Sequence, residues 1–84
     1  MKEAIKKTRE LLLIHSCIYY IYDYNVISDA EWQYHANRLV ELQNEYKEPI
    51  NFYDKEFEDW NGNTGCHLPL RDEWIVKEAL RLME

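Results

Sequence analysis

Glycine and proline are scarce in this chain, two of each in 84 residues. A turn-rich β fold needs more of both, so the scarcity favours helices. No segment alternates apolar and polar residues as a half-buried strand does. No apolar run approaches the roughly 18 residues of a membrane span. The N-terminus, Met-Lys-Glu-Ala-Ile-Lys-Lys-Thr-Arg-Glu, lacks the apolar core and cleavage site of a signal peptide, so an intracellular, cytoplasmic protein is expected. Cys17 and Cys66 make no disulfide framework and are expected as free thiols.

Several chemistries are missing as well. There is no Gly-rich phosphate loop and no Gly-x-Ser-x-Gly elbow. His15, His35 and His67 do not combine with the cysteines in a zinc pattern: His15 and Cys17 are two apart on a helix and point away from one another. Cys66 and His67 are adjacent, which defines no nucleophile–base geometry. No enzymatic activity is expected. Positive charge is also in short supply, with 10 basic against 16 acidic residues and a net charge of −6. Such a surface repels a phosphate backbone and disfavours direct DNA binding, while suiting a protein partner with a basic surface.

What remains is helical periodicity. At 84 residues and 46% apolar, the chain suits one small domain, residues 1–84. A first helix is expected over 3–23, with Ala4, Leu11, Ile14, Ile18 and Ile21 as its core stripe and Thr8 bridging the gap. Leu12, His15, Tyr19 and Tyr22 fall on the neighbouring face. Lys2, Lys6, Lys7, Arg9 and Glu10 read as a solvated beginning. A second helix over 29–46 starts at Ser28, which forms a Ser-x-x-Glu capping box with Glu31, and it stops before Pro49. Tyr53, Phe57 and Trp60 fit a short helix over 50–60 capped by Asn51 or Asp54; the acidic run Asp54, Glu56, Glu58 and Asp59 reads as a wet face. A last helix runs from near Asp72 to the end, with Ile75, Ala79 and Leu82 inside and Trp74 as an anchor. The fold class is all-α: a long antiparallel helical hairpin over 1–47, covered by a C-terminal segment, 48–84, with one short and one longer helix.

The hairpin's closed end gathers Tyr19, Tyr20, Tyr22, Tyr24, Trp32 and Tyr34 within sixteen residues, more than a turn needs for packing. The pattern His15-x-x-x-Tyr19-Tyr20-x-x-Asp23-x-x-x-Ile27-Ser28-Asp29-Ala30-Glu31-Trp32, then Leu39-x-x-Leu42-Gln43-x-Glu45-Tyr46, resembles the N-terminal domain of bacterial NAD-dependent DNA ligases over about 35 ungapped residues. In that family a Tyr-Tyr or Tyr-His pair precedes Ile-Ser-Asp-Ala-Glu-Tyr-Asp. The resemblance implies a helical hairpin that grips the nicotinamide mononucleotide half of NAD. It implies Tyr19 and Tyr20 as aromatic partners of the nicotinamide and Asp29 as partner of its polar groups. Trp32 stands for the family's Tyr and Gln33 for its second Asp, so one phenolic hydroxyl and one negative charge are lost. Beyond Tyr46 the resemblance ends. No lysine is followed by x-Asp-Gly, the nucleophile motif of the ligase adenylation domain, so the chain alone cannot seal DNA. Its size resembles that of small stand-alone relatives encoded by phages and other mobile elements.

Three functions are therefore open: a non-catalytic module binding nicotinamide mononucleotide or NAD through Tyr19, Tyr20, Asp29, Trp32 and Gln33; an acidic protein-interaction module or inhibitor of a host or defence enzyme that has lost the nucleotide, with Tyr22, Tyr24 and Trp60 as anchors if exposed; and an accessory chain completing a ligase in trans. No pattern specifies an oligomeric state.

Overall fold

The computed structural model describes residues 1–84 as three α-helices with no strand: α1 Lys2–Tyr22, α2 Asp29–Glu45 and α3 Glu73–Met83. Each of the three boundaries lies within a residue or two of its sequence expectation. α1 closes at Asp23, whose backbone turns left-handed (φ 52°), a conformation that aspartate tolerates better than most residues. α2 opens on the capping box: Ser28 Oγ accepts from the Glu31 amide at 3.1 Å, and the Glu31 carboxylate accepts from the Ser28 amide at 3.3 Å. Two orphan amides of the first turn are satisfied in this way.

α1 is the central helix. α2 and α3 each pack on it and not on one another. This arrangement widens and rotates the buried face of α1 relative to the expected stripe. Ile5, Leu12, Leu13, Cys17 and Ile18 are buried, whereas Ala4 is exposed and Leu11, Ile14 and Ile21 are only half-buried. The true stripe was obscured because it carries two polar residues, Arg9 and Ser16, both buried. In α3, Ile75 and Ala79 are buried as expected, but Leu82 is exposed. Trp74 is half-buried against the core.

The short helix expected over 50–60 does not form. Asn51 and Tyr53 take positive φ (64° and 55°), and 54–59 is a run of turns. One i→i−4 bond, from the Phe57 amide to the Tyr53 carbonyl, is followed by shorter-span bonds from Glu58 and Trp60. The cause is Asp54. Its carboxylate reaches backward to the amides of Ile50 and Asn51, and it pairs with Arg9 at 2.6 Å. The local chain is thereby folded into a loop instead of starting a helix. Phe57 and Trp60 still reach the core, joined by Ile50, Leu68 and Leu70, so the irregular stretch supplies five of its fifteen buried residues.

Arg9 is not part of a solvated beginning. Its guanidinium donates to Gln43 Oε1 through Nε and Nη2, and to the Phe52 carbonyl and Asp54 through Nη1. It also lies 5.4 Å from the centre of the Phe57 ring. Gln43 passes the link on by donating to the Phe57 carbonyl at 3.0 Å. One buried cation thus joins α1, α2 and the irregular stretch. Glu56, Glu58 and Asp59 are exposed, as the wet-face reading has it; Asp54 is the exception.

Replacing Arg9 with Met keeps the apolar stem but strands four acceptor interactions, and is expected to cost on the order of 3 kcal/mol in urea denaturation. Burial works to raise the Asp54 pKa, but the Arg9 hydrogen bond and two backbone amides outweigh it and hold the carboxyl below its ordinary range. The unfolded chain therefore takes up this proton first. Stability present above about pH 4 is lost as the pH falls through the lowered value. In Asp54→Asn, melting temperature is expected to start lower and to fall less between pH 5 and 3.

Candidate binding pocket at the hairpin end

The end of α1, the 23–28 connection and the first turn of α2 enclose a concave pocket of about 60 Å³. Its lining is His15, Tyr19, Tyr20 and Tyr24 on one side, Asn25, Val26, Ile27 and Ser28 along the connection, and Asp29 and Trp32 from α2. The capping box sets the angle at which α2 enters and so brings Asp29 into the lining. His15 and Tyr19 share a helix face because they are four residues apart. The volume is small beside the roughly 300–1,000 Å³ of pockets that enclose a drug-sized ligand. It is too small to enclose a nucleotide, and a planar ring would be seated in it by one edge.

Four of the five expected site residues come together here: Tyr19, Tyr20, Asp29 and Trp32. Tyr19 and Tyr20 meet edge to face, with ring centres 4.9 Å apart, and both remain more than two-fifths exposed. Tyr20 is held by a 2.9 Å hydrogen bond between its hydroxyl and that of Thr64. Trp32 forms part of the floor. Its indole N–H donates to the buried Ser16 Oγ at 3.1 Å, and its ring meets Trp60 at 6.3 Å. Gln33 lies outside the pocket. Its amide donates to the Gly62 carbonyl (2.8 Å) and to Asn37 (3.0 Å), tying α2 to the loop after Trp60.

The sequence reading left out the connection itself and gave His15 no role of its own. The signal for His15 was its place one turn before Tyr19. Its Nδ1 is buried without a hydrogen-bond partner. Burial pushes the imidazole below its ordinary pKa, the neighbouring His35 adds to this, and Glu31 opposes it. His15 is therefore a neutral ring at pH 7. With Asp29 the only carboxylate and no lysine or arginine in the lining, the pocket favours a cation and offers nothing to an anion. The tyrosine and tryptophan faces add the same preference.

The floor depends on a glycine. Gly65 lies so close to α1 and α2 that a Cβ there would collide with Ser16 Oγ and crowd the Trp32 ring. Gly65→Ala is expected to cost roughly 1–3 kcal/mol and to shift Trp32 fluorescence. In a double variant with Ser16→Ala, which removes the obstructing oxygen, the loss should fall short of the sum of the single losses. The chain matches no protein-family model, no curated protein and no solved structure.

Proposed function

We propose that the chain is a non-catalytic module that binds the nicotinamide mononucleotide half of NAD, with the nicotinamide ring in the hairpin-end pocket. One observation carries this reading. Four residues from two helices, Tyr19, Tyr20, Asp29 and Trp32, which the ligase resemblance nominates as ligand contacts, line one small pocket. The pyridinium ring of NAD is a flat cation, which suits tyrosine faces beside a single carboxylate. The ribose and phosphate lie outside the pocket, since its lining holds no cation to meet a phosphate. The observed role of Gln33, tethering the Gly62 loop, makes it a support rather than a contact.

A second reading is favoured by a different observation: Tyr22, Tyr24, Val26 and Tyr34 are exposed around the same end of a chain with net charge −6. These side chains suit an aromatic-anchored contact with a basic protein surface. Trp60 drops out as an anchor, because it is buried and donates to the Ala36 carbonyl at 3.0 Å.

The deciding experiment is an NMR titration of isotope-labelled protein with nicotinamide mononucleotide and with NAD. Saturable shifts are expected at Tyr19, Tyr20, Asp29 and Trp32, with affinity falling about tenfold in Tyr20→Ala and in Asp29→Ala while both variants stay folded. Absence of shifts at several millimolar ligand would sink the reading and leave the aromatic surface as a protein contact.

A further inference from the structure

We infer that His15 determines which ring the pocket accepts: its Nε2–H donates to a carbonyl oxygen on a flat cationic ring, making the site selective for a pyridinium carboxamide over the matching carboxylate. The inference rests on the nucleotide reading above and goes one step further, to the residue that sets specificity.

The argument starts from the two ring nitrogens. Nδ1 is enclosed and has neither donor nor acceptor beside it. A proton there would be a buried N–H without an acceptor, which is costlier than a bare ring nitrogen. The neutral ring therefore carries its proton on Nε2. That nitrogen has no partner within the chain and is not enclosed, and the wall to which His15 contributes is that of this pocket. His15 thus brings to the pocket a ring N–H without an internal partner, beside the unengaged hydroxyls of Tyr19 and Tyr24 and the Asn25 amide. The indole N–H of Trp32 is committed to Ser16, and the hydroxyl of Tyr20 is shared with Thr64.

Charge supplies the selectivity. Asp29, at the first turn of α2, lines the same pocket as His15. An amide nitrogen can donate to that carboxylate while the amide oxygen accepts from His15. A ring carboxylate can satisfy His15 but must face Asp29 without a compensating cation, since the pocket contains no lysine or arginine. This holds while His15 is neutral. The titratable groups around it are His35 and Glu31 on α2, Asp29 in the lining, and Tyr19, Tyr20 and Tyr24 on the wall. Only when the pH falls through the lowered His15 value does a proton on the ring supply the missing cation. It then weakens binding of a cationic amide and relieves the penalty on a carboxylate.

The test compares nicotinamide mononucleotide with nicotinic acid mononucleotide by NMR titration between pH 7.5 and 5. Both carry the same phosphate, so its own titration cancels in the affinity ratio. The wild type is expected to prefer the amide at least about tenfold at pH 7.5, with the ratio shrinking on acidification. His15→Gln retains a donor and should keep a preference that no longer changes with pH. His15→Leu should lose about tenfold in amide affinity with its fold intact by amide spectrum. Unchanged amide affinity in His15→Leu, or no preference of the wild type for the amide at pH 7.5, overturns the assignment of His15 while leaving the nucleotide site standing. No saturation of the wild type by either nucleotide overturns both.

Discussion

The Arg9 guanidinium is the contact on which the rest of the structure depends. Hydrophobic burial alone would pack α2 and α3 onto α1, but it would not say where a 27-residue irregular stretch between them should lie. Arg9 does. Its Nη1 holds Asp54 and the Phe52 carbonyl, and Gln43, which accepts from the same guanidinium, holds the Phe57 carbonyl. With 52–57 fixed, Trp60 is delivered to the Ala36 carbonyl and Gly62 to Gln33. Gly65 then lands on Ser16 and Trp32. The pocket floor is thus the far end of a chain of contacts that begins two helical turns away on α1. A cation nearly withdrawn from water is stable here because four hydrogen bonds, one of them to a carboxylate, and an aromatic face replace its hydration.

The helices were legible because their signals are local. Ser28 and Glu31 announce a helix start by themselves, and Pro49 announces an end, so α2 can be placed without knowledge of its neighbours. What failed was whatever depended on a distant partner. Arg9 looks solvated in a run of lysines because nothing nearby shows that Asp54, 45 residues on, will meet it. The same pair hides the loop over 50–60. The spacing of Tyr53, Phe57 and Trp60 is helical, and Phe57 and Trp60 are buried as a helix would bury them, but Asp54 is committed to the amides behind it. Ser16 was invisible for a related reason. A small polar residue in an apolar stripe carries no periodic signal, although its hydroxyl accepts the Trp32 indole and faces Gly65.

The candidate site was legible in its aromatics and its acid and not in its depth. Tyr19, Tyr20, Asp29 and Trp32 stand out as residue types. His15 does not, since a histidine on a helix face is ordinary until its surroundings are known. Only the three-dimensional packing shows that one of its nitrogens is sealed without a partner while the other is free. The difference matters chemically. Tyrosine faces and a carboxylate attract many cations, whereas a neutral donor at a fixed place selects among them.

The two positions that depart from the ligase pattern, Trp32 and Gln33, share one feature: both engage the segment where the resemblance has ended. Trp32 meets Trp60 and packs under Gly65, and its indole nitrogen reaches Ser16, a bond that a tyrosine hydroxyl would have to make from a different position. Gln33 donates to the Gly62 carbonyl, which an aspartate, being an acceptor, cannot do when ionised. At both positions the side chain present here is thus occupied in holding the 46–72 segment against the hairpin. Tyr19, Tyr20 and Asp29, by contrast, have only the Tyr20–Thr64 hydrogen bond to that segment. Packing therefore leaves the exposed rings of Tyr19 and Tyr20 and the Asp29 carboxylate free for contacts outside the chain.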